Sequence, residues 1–181
     1  MTEHNAASSP RYVEVQRFTQ TWIRLLVMGT ALLAWSIAFV QLLLDRPVGN
    51  NPANDVVVVL AWLIIGVAMP AFFASMKLRI EVREHAICVR FFPFHSHFRC
   101  FPYAELRSLY ARRYRPILEY GGWGVRLGTS GWAYNTSGNL GVQLVLRSGK
   151  RVLIGSQDPD AIVAAVAATG WTFDAEPVRD R

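Results

Sequence analysis

The amino-acid sequence predicts an α+β membrane protein in which a two-helix transmembrane hairpin precedes a small β-rich domain. Two runs, residues 25–44 and 56–76, contain no charged residue over 20 and 21 positions. Directly after the second run, apolar and charged residues alternate, which is typical of a strand with one buried face. The composition agrees, because 52% of the residues are apolar and only 18% are charged, below the quarter that is usual in soluble domains.

Both apolar runs have the length of membrane-spanning helices, which we predict at about residues 22–44 and 56–76. About 20 helical residues, at a rise of 1.5 Å each, cross the ~30 Å hydrocarbon layer of a bilayer. Each run has 11 Leu, Ile, Val or Phe residues, and each of these favours insertion by roughly 0.3 to 0.6 kcal/mol. Two alternatives compete, namely a buried core helix for either run and a cleaved signal peptide for the first.

The distribution of basic residues predicts that both termini face the cytosol. Arg11, Arg17 and Arg24 precede the first run, whereas the polar turn at residues 45–55 contains Arg46 alone. Residues 77–181 carry 15 Lys or Arg against 9 Asp or Glu, so the net charge of +6 lies in this part of the chain. Segments rich in Lys and Arg beside a membrane helix stay on the cytosolic side.

After the hairpin we expect a small β-barrel or sandwich of seven to eight strands, capped by a C-terminal α-helix. The short alternating runs lie in residues 77–173, and Asp158 followed by Pro159 marks the start of the helix. The predicted segments are an N-terminal cytosolic tail (1–21), the hairpin (22–76), this domain (77–173) and a charged tail (174–181). Since the first strand follows the second run directly, the domain is expected to lie at the membrane surface.

Three stretches of the predicted domain are distinctive: RRYRPILEYGGWGVR, AYNTSGNLGVQLVL and SGKRVLIGSQDPDAI. They resemble an uncharacterised family of bacterial membrane proteins in which a two-helix hairpin precedes a pleckstrin-homology-like domain. The resemblance covers roughly residues 20–170. It implies a pleckstrin-homology-like fold and a multi-pass protein of the bacterial plasma membrane, but it names no chemistry.

The candidate basic cluster consists of Arg112, Arg113 and Arg115 around Tyr114, with Arg107 upstream. Each basic side chain near an anionic membrane surface gains about 1 kcal/mol, so the cluster predicts contact with lipid headgroups. The alternative is ordinary positive charge that fixes topology and solubility. Nucleic-acid binding is not expected, because no recognition motif accompanies the charge.

A second candidate surface combines Trp123, Tyr134 and Asn135, and it begins in the glycine-rich segment YGGWG at residues 120–124. Glycine permits a backbone to approach a ligand closely, which favours a pocket or a groove for a partner. The alternatives are a tight corner between strands for the glycines and core packing for the three side chains.

The possible metal ligands are Cys88, His95, His97 and Cys100, but they lack the short paired spacings of zinc sites. We therefore predict no metal and no cofactor. A hairpin that turns near Phe94 would place Cys88 opposite Cys100. Two cysteines are too few for a disulfide scaffold, so we expect a cross-strand pair of thiols that stays reduced in the cytosol.

The leading hypothesis is a membrane-anchored binding or scaffold module. It would engage the lipid bilayer together with a protein partner, or with a second copy of the chain, at the cytosolic membrane surface. The alternatives are a sensor of anionic lipid that uses the basic cluster, and an enzyme. Enzyme activity is not expected, because the sequence contains neither a G-x-S-x-G motif nor a phosphate-binding loop.

Overall fold

The computed structural model describes residues 9–173 and divides the chain into two compact units. Of the described residues, 9–17 and 77–173 form the β unit, and Phe18–Met76 form the helical unit. The helical unit is therefore an insertion into the β unit. Residues 1–8 of the predicted tail, and the charged tail at 174–181, lie outside the described residues.

The first sheet of the β unit is antiparallel, and each strand pairs with the next one along the chain. Its strands are β1 (Tyr12–Arg17), β2 (Lys77–Val82), β3 (Ala86–Phe92) and β4 (Arg99–Pro102), in that order. Apolar residues at alternate positions of β2 and β3 are completely buried, namely Leu78, Ile80, Val82, Ile87, Val89 and Phe91. The alternation seen in the sequence thus produces one buried face, as a two-residue period requires.

Strand β1 is the main departure from the predicted segments, because it lies where the sequence indicated a tail. It pairs with β2 along its whole length, from Tyr12 opposite Val82 to Arg17 opposite Lys77. The strand and its partner belong to the same compact unit, although the helical unit separates them in the chain.

The second sheet holds the five remaining strands. These are β5 (Leu106–Arg113), β6 (Gly124–Gly128), β7 (Gly131–Asn135), β8 (Leu140–Leu146) and β9 (Arg151–Gly155), in the order β5-β8-β9-β7-β6. All neighbours are antiparallel except β7 and β9, which run parallel. Two helices complete the unit, a short one at Pro116–Tyr120 and a C-terminal one at Pro159–Ala167. The side chain of Asp158 caps the latter by accepting a hydrogen bond from the N–H of Ala161, as its sequence predicts.

The α+β class is confirmed, but of the predicted barrel or sandwich of seven to eight strands, the barrel is wrong and so is the number of strands. The described residues form nine strands in two separate sheets. A short 3₁₀ turn at Tyr103–Glu105 stands between β4 and β5, which belong to different sheets. A barrel requires hydrogen bonds around its whole circumference, and two sheets with separate edges do not provide them.

The helical unit consists of two apolar helices, Thr21–Leu43 and Asp55–Ser75, within one residue of the predicted bounds. Trp35 and Trp62 meet edge to face with ring centroids 5.0 Å apart, and the indole N–H of Trp35 donates to the carbonyl of Gly66. A Cβ at Gly66 would lie 3.0 Å from the Trp62 ring, so glycine permits this approach. The second helix is π-helical over Trp62–Ala68, just before Pro70, since proline cannot donate the usual backbone hydrogen bond.

Polar groups fix the turn between the two helices. The side-chain nitrogen of Gln41 donates to the carbonyl of Ala53 at 2.6 Å and to a carboxylate oxygen of Asp55 at 3.0 Å. Asn54 caps the second helix by accepting a hydrogen bond from the N–H of Val57. The first helix is therefore connected to the start of the second by specific side-chain contacts.

Candidate functional site

Arg107 lies apart from the other arginines of the predicted basic cluster. Arg107 and Arg113 belong to the same strand but are six positions apart, which at about 3.3 Å per residue separates them by roughly 20 Å. Arg113 and Arg115 are exposed near the other end of β5. Arg107 is therefore too far from the other three arginines to share a binding site with them.

Arg112 differs from its neighbours because its side chain is only 15% exposed. Its guanidinium donates to Glu119 at 2.6 Å, to Gln143 at 3.0 Å and to the hydroxyl of Tyr120 at 3.3 Å. Burial alone would lower the pKa of Arg112, but the hydrogen bond and the charge of Glu119 outweigh it and raise that pKa. Arg112 thus fastens the short helix to the second sheet and has few donors left for a ligand.

Trp123, Tyr134 and Asn135 also make contacts within the β unit. The indole N–H of Trp123 donates to the carbonyl of Gly138 at 3.0 Å. The hydroxyl of buried Tyr134 accepts a hydrogen bond from Arg99 at 3.2 Å, and the side-chain oxygen of Asn135 accepts one from the N–H of Gly124 at 2.8 Å. Tyr134 and Asn135 are adjacent in β7, so their side chains point to opposite faces of the sheet.

The glycine-rich segment forms a corner. Gly121 ends the short helix with φ of 70°, in the left-handed conformation that glycine adopts without strain. Strand β6 begins three residues later. The turn alone therefore explains why a glycine stands at position 121.

A buried polar network joins the two sheets, and sequence reasoning missed it. The side-chain nitrogen of Gln16 donates to the carbonyl of Gly155 at 2.7 Å, while its oxygen accepts from Thr136 at 3.0 Å. The carboxylate of Glu14 accepts hydrogen bonds from the hydroxyl of Ser156 at 2.6 Å and from the N–H of Gln157 at 2.8 Å. Strand β1 therefore pairs with one sheet through its backbone and contacts the other through its side chains.

A second group that the sequence did not reveal is the paired basic end of the first sheet, formed by Arg17, Lys77, Arg79 and Arg90. Arg17 is the direct cross-strand partner of Lys77, and Arg79 is that of Arg90. Because positions 77 and 79 share one face of β2, all four side chains project from the same face of the sheet. The interleaved positions, such as Leu78, face the core. The alternating charges of residues 77–83 were visible in the sequence, but the pairings were not.

An aromatic ring lies among the cations of this face. The guanidinium carbons of Arg90, Arg83 and Arg79 lie 4.9, 5.1 and 6.0 Å from the ring centroid of Phe98. Glu81, only 4% exposed, receives hydrogen bonds from Arg79 and Arg83. The face thus combines five basic residues, Arg83 included, with a carboxylate that is already occupied.

Cys88 and Cys100 are cross-strand partners, as predicted, but the structure joins them in a disulfide. The expectation of a free thiol pair is therefore corrected. Directly opposed residues of β3 and β4, with Cα atoms 4.0 Å apart, bring both sulfur atoms together. Among the described residues, no group of three or more His, Cys, Asp or Glu side chains is arranged to hold a metal ion.

Fold and surface together define an α+β protein whose two-sheet unit contains an inserted pair of apolar helices and carries a paired basic end. The chain belongs to a family of unknown function (DUF6141), which it matches over residues 6–173. No curated protein and no solved structure matches it.

Proposed function

We propose that this protein is a membrane-anchored binding module. Its two apolar helices cross a bilayer as a hairpin, and its β unit engages a protein partner at the membrane surface. The pairing of Arg17 with Lys77 carries the proposal, because the first helix begins shortly after Arg17 and the second ends shortly before Lys77. The first helix thus follows β1, and the second leads into β2, the partner of β1. A hairpin that enters and leaves a bilayer on one side has this connectivity.

The exposure of the helices supports a membrane environment over a buried core. Only 22% and 11% of their most apolar stretches are buried. A core helix of a soluble protein buries most of its apolar face against other parts of the protein, whereas a membrane-spanning helix exposes its apolar side chains to the lipid. Further apolar residues would otherwise contact water, including Leu25, Leu32, Leu43, Val56 and Ile64.

Membrane integration is tested on the full-length chain in isolated membranes. We expect the protein to stay in the membrane fraction after washes with concentrated urea and with high salt, and to be released only by detergent. As a matched control, a chain in which a short turn replaces Phe18–Met76 should appear in the soluble fraction. A full-length chain that is monodisperse and soluble without detergent would overturn the proposal.

The basic residues on both sides of the hairpin support a cytosolic location for both termini. The Cys88–Cys100 disulfide favours the opposite side, because disulfides persist in oxidising compartments. For the location of the termini we give precedence to charge, because Arg17 and Arg24 before the first helix and Lys77 and Arg79 after the second outnumber Arg46 in the turn. Maleimide labelling of denatured protein from cells, trapped in acid, distinguishes the two locations, because labelling of both cysteines without prior reduction would support the cytosolic side. Labelling that requires prior reduction would place the β unit outside the cytosol.

Exposed apolar side chains in the second sheet and its short helix support a protein partner. Ile117, Leu118, Leu127 and Trp132 are 66, 73, 67 and 41% exposed. Photo-crosslinking residues at positions 118 and 127 should yield one discrete product in native membranes, either with another protein or with a second copy of the chain. The same residue at exposed Lys150 serves as the control. Equal, diffuse labelling from all three positions would contradict a partner at this surface.

The order of elements also supports a distant relation to pleckstrin-homology-like domains. Such domains place a strand meander before a second set of strands and end in a C-terminal helix, and the β unit has this order. The proposed role requires no catalysis, and lipid recognition would add to anchoring. A catalytic role would require converging titratable groups in a pocket.

A further inference from the structure

The paired basic end of the first sheet places positive charges directly opposite one another. Two successive rows on its outer face are like-charge pairs, Arg17 with Lys77 and Arg79 with Arg90. Directly opposite residues of antiparallel strands lie about 4.5–5.5 Å apart, and like charges at that distance destabilise the sheet. An anion bound between the two rows would offset this repulsion, because it attracts the cations of both rows.

The protein itself supplies little of that negative charge. Glu81, in the third row, directs one carboxylate oxygen to Arg79 at 2.8 Å and the other to Arg83 at 2.7 Å. Among the described residues, neither Arg17 nor Arg90 forms an ion pair. Of the four cations of the basic end, Arg79 contacts the carboxylate of Glu81, and Arg83 shares that carboxylate.

Phe98 holds the arginines in a suitable arrangement for an anion. Its ring lies 4.9 Å from the guanidinium carbon of Arg90 and 6.0 Å from that of Arg79. Stacking of this kind orders a guanidinium without using its N–H donors. An arginine that is ordered in this way retains its planar set of donors, which suits the oxygens of a phosphate group.

Chain connectivity indicates which phosphate is available. Lys77 is separated from the last residue of the second helix, Ser75, only by Met76, and β1 ends just before the first helix begins. If the helices cross a bilayer, the rows closest to them lie at the level of the lipid headgroups. Anions at that level are phosphates of lipids.

We propose that the paired basic end binds the phosphate groups of anionic phospholipids in the leaflet that the helices enter. This inference rests on the proposed membrane anchoring. It assigns lipid recognition to the first sheet, through Arg17, Lys77, Arg79 and Arg90, and not to the arginines of β5.

The test uses the full-length chain and phosphatidylglycerol as the probe. The protein is reconstituted into vesicles with equal amounts of phosphatidylglycerol and phosphatidylcholine, extracted in mild detergent, and analysed for retained lipid by mass spectrometry. Arg79→Gln/Arg90→Gln is compared with Arg113→Gln/Arg115→Gln, which removes the same charge from the other sheet. Each basic residue near an anionic surface changes binding roughly fivefold, so the first variant should lose at least about fivefold of the phosphatidylglycerol enrichment.

The control variant should retain the enrichment of the native chain. Three results would overturn the lipid site. The two variants could retain phosphatidylglycerol equally, they could lose it equally, or the native chain could show no enrichment. Thermal unfolding monitors folding, and Arg90→Gln alone provides a variant that leaves the contacts of Glu81 intact. Failure of the membrane wash assay would instead overturn the anchoring itself, so the two failures are distinguishable.

Discussion

Gln16 donates a hydrogen bond of 2.7 Å to the carbonyl oxygen of Gly155, which lies 139 positions later in the chain. The same side chain accepts a hydrogen bond from Thr136 and is 1% exposed. Gln16 therefore holds the end of β9 and the segment after β7 against β1. This contact explains why a strand from the N-terminal end of the chain is integral to the β unit.

Replacing Gln16 with alanine should destabilise the β unit by about 3 kcal/mol, because each buried group that loses its partner costs about 1–3 kcal/mol. The measurement is the free energy of unfolding in urea, for the protein in detergent micelles. Val15→Ala is the control, since Val15 is adjacent and exposed, and such changes usually stay within about 0.5 kcal/mol. Equal effects of both substitutions would show that the network contributes nothing.

The pairing of Arg17 with Lys77 predicts that the helical unit can be replaced by a tight turn. A chain that joins residues 9–17 to 77–173 through Asn-Gly should fold as a soluble protein, because two-residue Asn-Gly loops connect antiparallel partners. A fragment that begins at Lys77 lacks β1 and leaves Gly155 and Thr136 without Gln16. We expect cooperative thermal unfolding of the joined chain and a much lower Tm, or aggregation, of the fragment. Identical unfolding curves would contradict the importance of β1.

The half-buried ion pair between Arg112 and Glu119 should contribute more to stability than the exposed arginines beside it. Arg112→Gln removes the 2.6 Å contact to Glu119 and should cost about 1.5–3 kcal/mol, as for hydrogen bonds to charged groups. Arg113→Gln, at an exposed position of the same strand, should change the free energy of unfolding by less than about 0.5 kcal/mol. If Arg113→Gln proves as costly as Arg112→Gln, the structural role given to Arg112 is wrong.

Two buried tyrosines predict a loss of stability at alkaline pH. Burial raises the pKa of both Tyr103 and Tyr114 to about 12, above the value of about 10 for an unfolded chain. As the pH rises above 10, the unfolded state releases these protons first, so the free energy of unfolding falls between about pH 10 and 12. Urea unfolding across this range measures the effect. Tyr114→Phe should flatten the dependence on pH, and an unchanged slope would contradict it.

The sequence predicted the helices and most strands of this fold for clear physical reasons. Charge-free runs of 20 residues and strict alternation in β2 and β3 are local signals. Strand β1 has the inverse pattern, because Val13 and Val15 are 42% and 52% exposed while the polar Gln16 is buried. Its polar side chains have partners between residues 136 and 157, and no local pattern reports such distant contacts.

The candidate site was less predictable than the fold. Arg112 and Arg113 are neighbours in sequence, yet one is half-buried beside Glu119 and the other is exposed. The basic end can be recognised only when the register of three strands is known, because Arg17, Lys77 and Arg90 are scattered over the sequence. Closure into a barrel was likewise a question of long-range pairing, which alternation does not specify.

The insertion of the helical unit between β1 and β2 has a consequence for biosynthesis. The ribosome completes β1 early, but its partner emerges only after all of Phe18–Met76 has been translated. If the two helices cross a bilayer as proposed, failure of the second to integrate would leave Arg17 and Lys77 on opposite sides and β1 unpaired. Completion of the first sheet would then depend on correct insertion of both helices.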